Sequence, residues 1–220
     1  MTHDGGAKDG GEPETPVVLV VDDDPLLRDA LRRLLGSVGL RVETYPSAAA
    51  FLQVEMPTGP TCLVLDIRMP GQSGLELQAE LVKEDVHLPI VFITGHADVA
   101  TAAKALKAGA VDFLPKPFRE QDLLDAVTSA LDRARQHRDA ERRLSDLRTS
   151  FEALTPRERQ IMRYVADGFM NKEIAVELGL AQMTVKIHRG NMMRKMGAGS
   201  LVELVRMADD LGLSAAQRGT

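Results

Sequence analysis

Val17-Val18-Leu19-Val20-Val21-Asp22-Asp23 and Cys62-Leu63-Val64-Leu65-Asp66 are two apolar runs that each end on acidic residues. Apolar runs of this length, bounded by turn signals, read as strands buried on both faces of a parallel sheet. A third run ends on a hydroxyl, Thr94, and a fourth is followed by Lys116. In open α/β sheets the ligand site lies beyond the carboxyl ends of the strands. The fold therefore gathers three carboxylates, a hydroxyl and an ammonium at one edge. That set of groups suits the binding of Mg²⁺ and the placing of a phosphoryl group on an aspartate.

Working outward, strands and helical patterns alternate five times between residues 17 and 134. The strands fall near 17–21, 40–45, 62–66, 89–94 and 111–114. The second alternates apolar and polar residues, as an edge strand does. Leu26, Leu27, Ala30, Leu31, Leu34 and Leu35 recur at helical spacing, with Pro25 in the first turn and Gly39 as a stop. Asp24, before Pro25, is the expected cap. Such alternation predicts an α/β fold with a parallel sheet and right-handed crossovers.

The chain has 220 residues, enough for one large or two small domains, and its 44% hydrophobic and 27% charged content is that of a folded protein. Its net charge of −5 is unevenly placed. Residues 13–134 carry 11 Lys/Arg against 18 Asp/Glu, and residues 155–200 carry 8 against 4. The asymmetry predicts two modules with different partners. Residues 184–196 hold four basic residues and no acidic one, which reads either as a nucleic-acid surface or as a solvated helix face. Cys62, the single cysteine, sits in an apolar strand and reads as a buried structural thiol. One cysteine forms no internal disulfide, which fits a reducing compartment. No stretch approaches the length of a membrane span, and the N-terminus has no signal-peptide pattern.

Residues 1–16 are rich in Gly, Pro and acidic residues and are expected to be disordered. A first domain is expected over 17–134, a linker helix over 135–150, a second domain over 151–212 and a flexible tail over 213–220. The helix pattern itself runs 119–150. Its later apolar positions, Ala140, Leu144, Leu147, Phe151 and Leu154, form a short heptad seam. That seam reads either as a coiled coil pairing two chains or as a connector whose Phe151 and Leu154 dock on the second domain. Beyond it lie four short helices. Thr155-Pro156-Arg157-Glu158 is a capping box, Asn171 is expected to cap the next helix, and Ser200 the last. Helix 171–178, a turn and helix 182–196 have helix-turn-helix spacing.

An aspartyl phosphate needs a carboxylate nucleophile and neutralisation of the transferring group. Asp22 and Asp23 are placed to hold Mg²⁺, with Asp66 completing the site. Three close carboxylates repel unless a cation sits among them. Lys116 offers a point charge for a phosphate oxygen. Thr94 offers a hydroxyl, and Gly95 leaves room beside it. Pro117 is a candidate for a cis peptide.

Val21-Asp22-Asp23-Asp24, Leu65-Asp66-Ile67-Arg68-Met69-Pro70-Gly71, Ile93-Thr94-Gly95-His96 and the run from Lys107 to Phe118 together resemble the receiver domain of bacterial two-component response regulators. The resemblance implies a flavodoxin-like, doubly wound parallel sheet of strand order 2-1-3-4-5. By it, Asp66 is the phosphoacceptor, and Asp22, Asp23, Asp66 and the backbone carbonyl of Arg68 bind Mg²⁺. Thr94 and Lys116 contact the phosphoryl group, and Phe113 is the switch aromatic. Arg68 and His96 match positions that tune phosphoryl lifetime.

Leu154-Thr155-Pro156-Arg157-Glu158-Arg159, Asn171-Lys172-Glu173-Ile174-Ala175, Thr184-Val185-Lys186-Ile187-His188-Arg189 and Lys195-Met196-Gly197 resemble the LuxR-type helix-turn-helix of NarL/FixJ regulators, the FixJ-like branch fitting best. Val185, Met192 and Met196 form the inward face of the recognition helix. Lys172, Thr184, Lys186, Ile187, Arg189, Gly190 and Arg194 are the expected DNA-contacting positions. Ala181 departs from the family's usual Ser, a cap worth about 1 kcal/mol. The resemblance implies a cytoplasmic bacterial regulator of transcription, most simply an activator. It implies a sensor histidine kinase, promoter half-sites in double-stranded DNA and RNA polymerase as partners, a homodimer on phosphorylation and no membrane. Two rivals are a phosphohydrolase with an aspartyl nucleophile and a constitutive DNA binder with a Mg²⁺-binding but non-switching receiver. The first wants a second Asp where Arg68 stands.

Overall fold

The protein is described by a computed structural model covering residues 15–95 and 99–213. His96 and the expected disorder over residues 1–14 and 214–220 lie outside the described residues. The chain divides into two compact units, before and after the Arg138–Asp139 bond.

In the first unit β1 (Val17–Val21), β2 (Arg41–Tyr45), β3 (Thr61–Asp66), β4 (Ile90–Thr94) and β5 (Asp112–Pro115) form one parallel sheet of order β2-β1-β3-β4-β5. Side chains alternate across the sheet. Val17, Leu19, Val21, Leu63, Leu65, Ile90 and Phe92 bury into one core with Phe51 of α2 (Ala48–Phe51), Leu77 and Leu81 of α3 (Gly74–Lys83) and Ala105 of α4 (Val99–Lys107). Val18, Val20, Cys62, Val64, Val91 and Ile93 bury into the other. That core is completed by Leu31 and Leu35 of α1 (Pro25–Ser37) and by Leu123, Val127 and Leu131 of α5 (Glu120–Glu152). Both faces being covered, β1, β3 and β4 read as unbroken apolar runs. The edge strand β2 is only partly buried. Burial pushes the Cys62 thiol up to about 12, as befits a packing residue.

Asp24 caps α1 by accepting from the amides of Leu26 and Leu27. The helix face is narrower than its leucine spacing suggests: Leu31 and Leu35 are buried, but Leu26 is 79% exposed and Ala30 is exposed. Leu27, in the same first turn, packs against the core with Leu31 and Leu34, and Leu26 lies off that face.

The second unit packs the end of α5 with α6 (Pro156–Ala166), α7 (Asn171–Leu178), α8 (Gln182–Met196) and α9 (Leu201–Asp210). Its core holds Leu154, Ile161, Met162, Ile174, Val185, Met192, Met196 and Leu204. Leu147 and Phe151 pack against that core, so docking within the unit accounts for the last three residues of the heptad seam. Gly179 ends α7 at φ 64°, a left-handed conformation that glycine adopts without strain, and turns the chain into α8. Asn171 is not the cap of α7. Met170 occupies that place, and its amide donates to Glu173 Oε2 at 2.7 Å. The Asn171 side-chain Oδ1 instead accepts a hydrogen bond from Arg189 Nη1.

Thr155 and Glu158 close a capping box on α6, and Glu158 Oε2 also accepts from Lys195 Nζ of α8 at 2.7 Å. Burial works against the charge of Glu158, but the bonds from Lys195 and Thr155 outweigh it and hold the carboxyl below the usual glutamate range. The charged carboxylate stabilises the unit above the ordinary glutamate pKa. That contribution falls away as pH drops through the lowered folded value. Glu158→Ala is expected to destabilise the second unit by about 2 kcal/mol at neutral pH. It should also remove this acid-dependent loss, as measured by chemical denaturation over a pH series.

Candidate functional site

Parallel pairing aligns Val21 of β1 with Leu65 of β3, so the acids that follow each residue emerge side by side. Asp22, Asp23 and Asp66 each offer a carboxylate oxygen within 4.8 Å of the others. Asp22 and Asp66 are buried and Asp23 is exposed. A pocket of three hard oxygen donors, open on one side, is of the kind that holds Mg²⁺.

Lys116, just beyond β5, bridges the pocket. Its Nζ donates to Asp22 Oδ2 at 2.7 Å and to Asp66 Oδ2 at 2.8 Å. Its own amide donates to the carbonyl of Thr94 at 2.7 Å, and the Lys116–Pro117 peptide is cis. Burial pushes the Asp22 carboxyl up, and its bonds from Lys116 and the Asp24 amide counter this only in part. Burial also works against the ammonium of Lys116, but the bonds to Asp22 and Asp66 prevail and its pKa is raised. The remaining oxygens are held by the backbone. Asp24 N donates to Asp22 Oδ1 at 2.8 Å, and Arg68 N to Asp66 Oδ1 at 3.1 Å. Thr94 ends β4, fully buried. Phe113 of β5 is half-buried and packs against the core beneath α4.

Two contributors escape a reading of the sequence. Arg28 of α1 donates from Nη1 to the Asp22 carbonyl at 2.6 Å, bracing the strand end that carries the acid. Gly74 opens α3, and a Cβ there would lie 2.3 Å from the Asp66 carbonyl oxygen. Neither residue belongs to an acidic or apolar pattern that would mark it.

In the second unit, Lys172, Lys186 and Arg194 are exposed, Ile187 is 57% exposed, Gly190 is exposed and Thr184 is half-buried. Arg189 differs from these. It is half-buried against Asn171, which joins the two helices of the helix-turn-helix, and desolvation lowers its pKa. Ala181 occupies the N-cap of α8 with no side-chain bond.

Residues 18–128 match the family described as "Response regulator receiver domain", and residues 152–208 the family "Bacterial regulatory proteins, luxR family". The chain is 52% identical to Nodulation protein W of Bradyrhizobium diazoefficiens over 94% of this chain and 92% of that protein. It is 43% identical to the transcriptional regulatory protein FixJ of Azorhizobium caulinodans over 94% and 99% respectively. Among solved structures, the response regulator StyR superposes with a TM-score of 0.77 at 48% identity, covering 89% of this chain and 98% of that one. Full-length FixJ from B. japonicum superposes at 0.53 with 39% identity, covering 90% and 97%.

Replacing Lys116 leaves two buried carboxylates without their cation. Lys116→Met is expected to destabilise the first unit by about 3 kcal/mol in metal-free buffer. Added Mg²⁺ should recover more stability in the variant than in the wild type, read as the shift of the urea midpoint. Gly74→Ala should cost about 1–3 kcal/mol by overpacking against the Asp66 carbonyl, measured by the same unfolding curve.

Proposed function

The chain belongs to the response regulators, with a receiver domain followed by a LuxR-type DNA-binding domain, and from that premise we propose that Asp66 accepts a phosphoryl group that controls the binding of promoter DNA. The family is one of regulators rather than enzymes. The observation that carries the reading is the single ammonium of Lys116 held between Asp22 and Asp66. It places a cation where phosphoryl oxygens would arrive and ties the phosphoacceptor to the metal-binding acid.

The donor is a sensor histidine kinase. An Asp66 carboxylate oxygen forms the new bond to phosphorus while the bond from phosphorus to the kinase's imidazole nitrogen breaks. Mg²⁺ held by Asp22, Asp23, Asp66 and the Arg68 carbonyl would neutralise charge on the carboxylates and the transferred group. Lys116 turns from the Asp66 carboxylate to a phosphoryl oxygen, exchanging one anionic partner for another. The Thr94 hydroxyl follows that oxygen, and Phe113 packs inward behind it. As a phenylalanine it has no hydroxyl to satisfy when buried, so its inward state rests on packing alone. These shifts alter the face of α4, β5 and α5, which pairs with a second copy and brings two α8 helices to half-sites on DNA. Phosphorylation biases a two-state element and does not touch DNA itself. The most direct output is activation through RNA polymerase, in the cytoplasm. No helix among the described residues is long and apolar enough to cross a membrane.

The solution molar mass should double when beryllofluoride, a phosphoryl mimic, is added to the wild-type chain with Mg²⁺. It should not change for Asp66→Asn. Phosphoryl transfer to Asp66→Asn as efficient as to the wild type would rule the reading out.

A further inference from the structure

The sheet has a second edge, at the amino ends of its strands, and a cavity of about 250 Å³ opens there within the first unit. It lies between the carboxyl end of α3, the segments that lead into β4 and β5, and α5. The length of β4, about 13 Å, separates it from Thr94 and the acidic pocket. Its wall is apolar. Leu81 and Ile90 are buried there, and Val86 and Leu88 pack against the same core.

A few polar groups break that wall. Gln78 of α3 is only 3% exposed. Its Nε2 donates to the carbonyls of Ala105 and Ala108, each at 3.3 Å, which uses both amide hydrogens. Among the described residues nothing donates to its Oε1. No fully buried side-chain oxygen or nitrogen among those residues lacks a partner, so this oxygen is reached through the cavity. Arg133 and His137 stand one turn apart on α5, at i and i+4, and both line the cavity. Arg133 is exposed and makes no hydrogen bond or ion pair among the described residues. His137 stacks on His87, with ring centroids 4.5 Å apart and planes 19° apart, which joins α5 to the segment before β4 along one side of the cavity. His87 is itself fixed, its Nδ1 donating to the Asp85 carbonyl at 3.1 Å. Among the described residues the lining holds no acidic side chain.

We propose that this cavity binds a small hydroxylated organic acid, with its carboxylate on Arg133, its apolar chain along Leu81, Val86 and Ile90, and its hydroxyl donating to Gln78 Oε1. The chemistry of the wall sets each part. A guanidinium without a partner takes a carboxylate through paired, charge-assisted hydrogen bonds. An acceptor oxygen set in an apolar cavity calls for a donor. With no acid in the lining, that donor is a neutral hydroxyl rather than an ammonium, whose buried charge would go uncompensated. The volume is below that of sites for drug-sized ligands, which limits the occupant to a short chain. Gln78 also ties α3 to the end of α4, so occupancy is felt at Ala108 and Gly109.

The test titrates the full-length chain with 6-hydroxyhexanoate and follows amide resonances by NMR. The backbone amides of Ala108 and Gly109 and the side-chain amide of Gln78 should shift together, with a Kd of about 1 mM. Hexanoate, which lacks the hydroxyl, should bind about fivefold more weakly, and 1,6-hexanediol, which lacks the carboxylate, about tenfold more weakly. Arg133→Gln, at an exposed helix position, should remove the advantage of the hydroxy acid over the diol. Gln78→Leu should remove its advantage over hexanoate. If that variant folds poorly, the comparison of the two acids on the wild type tests the same contact. No shift at about 20 mM, well above the expected Kd, would overturn the inference. Equal affinity for all three compounds, or an unaltered Kd in Arg133→Gln, would overturn it as well. Shifts of the same amides on concentrating the protein alone would make this face a contact between copies and also overturn it.

Discussion

Lys116 holds two carboxylates from two other strand ends on one ammonium, 2.7 Å from Asp22 and 2.8 Å from Asp66. Two unit charges within 4.8 Å repel by about 3 kcal/mol at an effective dielectric of about 20. Three acids in one pocket therefore need a cation for the ends of β1 and β3 to stay together. The sheet order supplies it from β5, two strands away from β3, by way of the hydrogen bond from the Lys116 amide to the Thr94 carbonyl. The arrangement couples β1, β3, β4 and β5 through a few side chains. Any group that competes for the ammonium disturbs all of them together.

The supports around that pocket are backbone and shape rather than further charge. Arg28 fixes the carbonyl of Asp22, the amides of Asp24 and Arg68 hold one oxygen of each buried acid, and Gly74 lets α3 start against the Asp66 carbonyl. With these oxygens satisfied, the carboxylates are oriented before any ligand arrives. Asp23 is exposed at the edge of the pocket, where solvent reaches it.

In the second unit the same economy works in reverse. Two cations that count towards a positive surface are spent on internal bonds: Lys195 on the α6 cap and Arg189 on Asn171. These bonds lock α8 against α6 and α7, and a rigid helix presents its outward residues at fixed spacing. What remains outside is a mixed surface, apolar at Met183 and Ile187 and basic at Lys186 and Arg194. Charge counted along the chain overstates the basic feature and hides the apolar one.

The sequence by itself determined the sheet and its ends. Strands covered on both faces must be apolar throughout, so β1, β3 and β4 announce themselves, and so do the acids, hydroxyl and lysine that terminate or follow them. Capping chemistry is equally local, which is why Asp24, the Thr155–Glu158 box and Ser200 were readable in advance. Contacts between residues distant in the chain were decided only by the tertiary structure. The place of Arg28 under Asp22, the clearance that Gly74 gives, the turn of Asn171 from cap to partner of Arg189, and the docking of Leu147 and Phe151 on the second core each depend on where another element lies. Periodicity records which face of a helix is apolar, whereas the partner across that face is set by packing, and no local pattern encodes it.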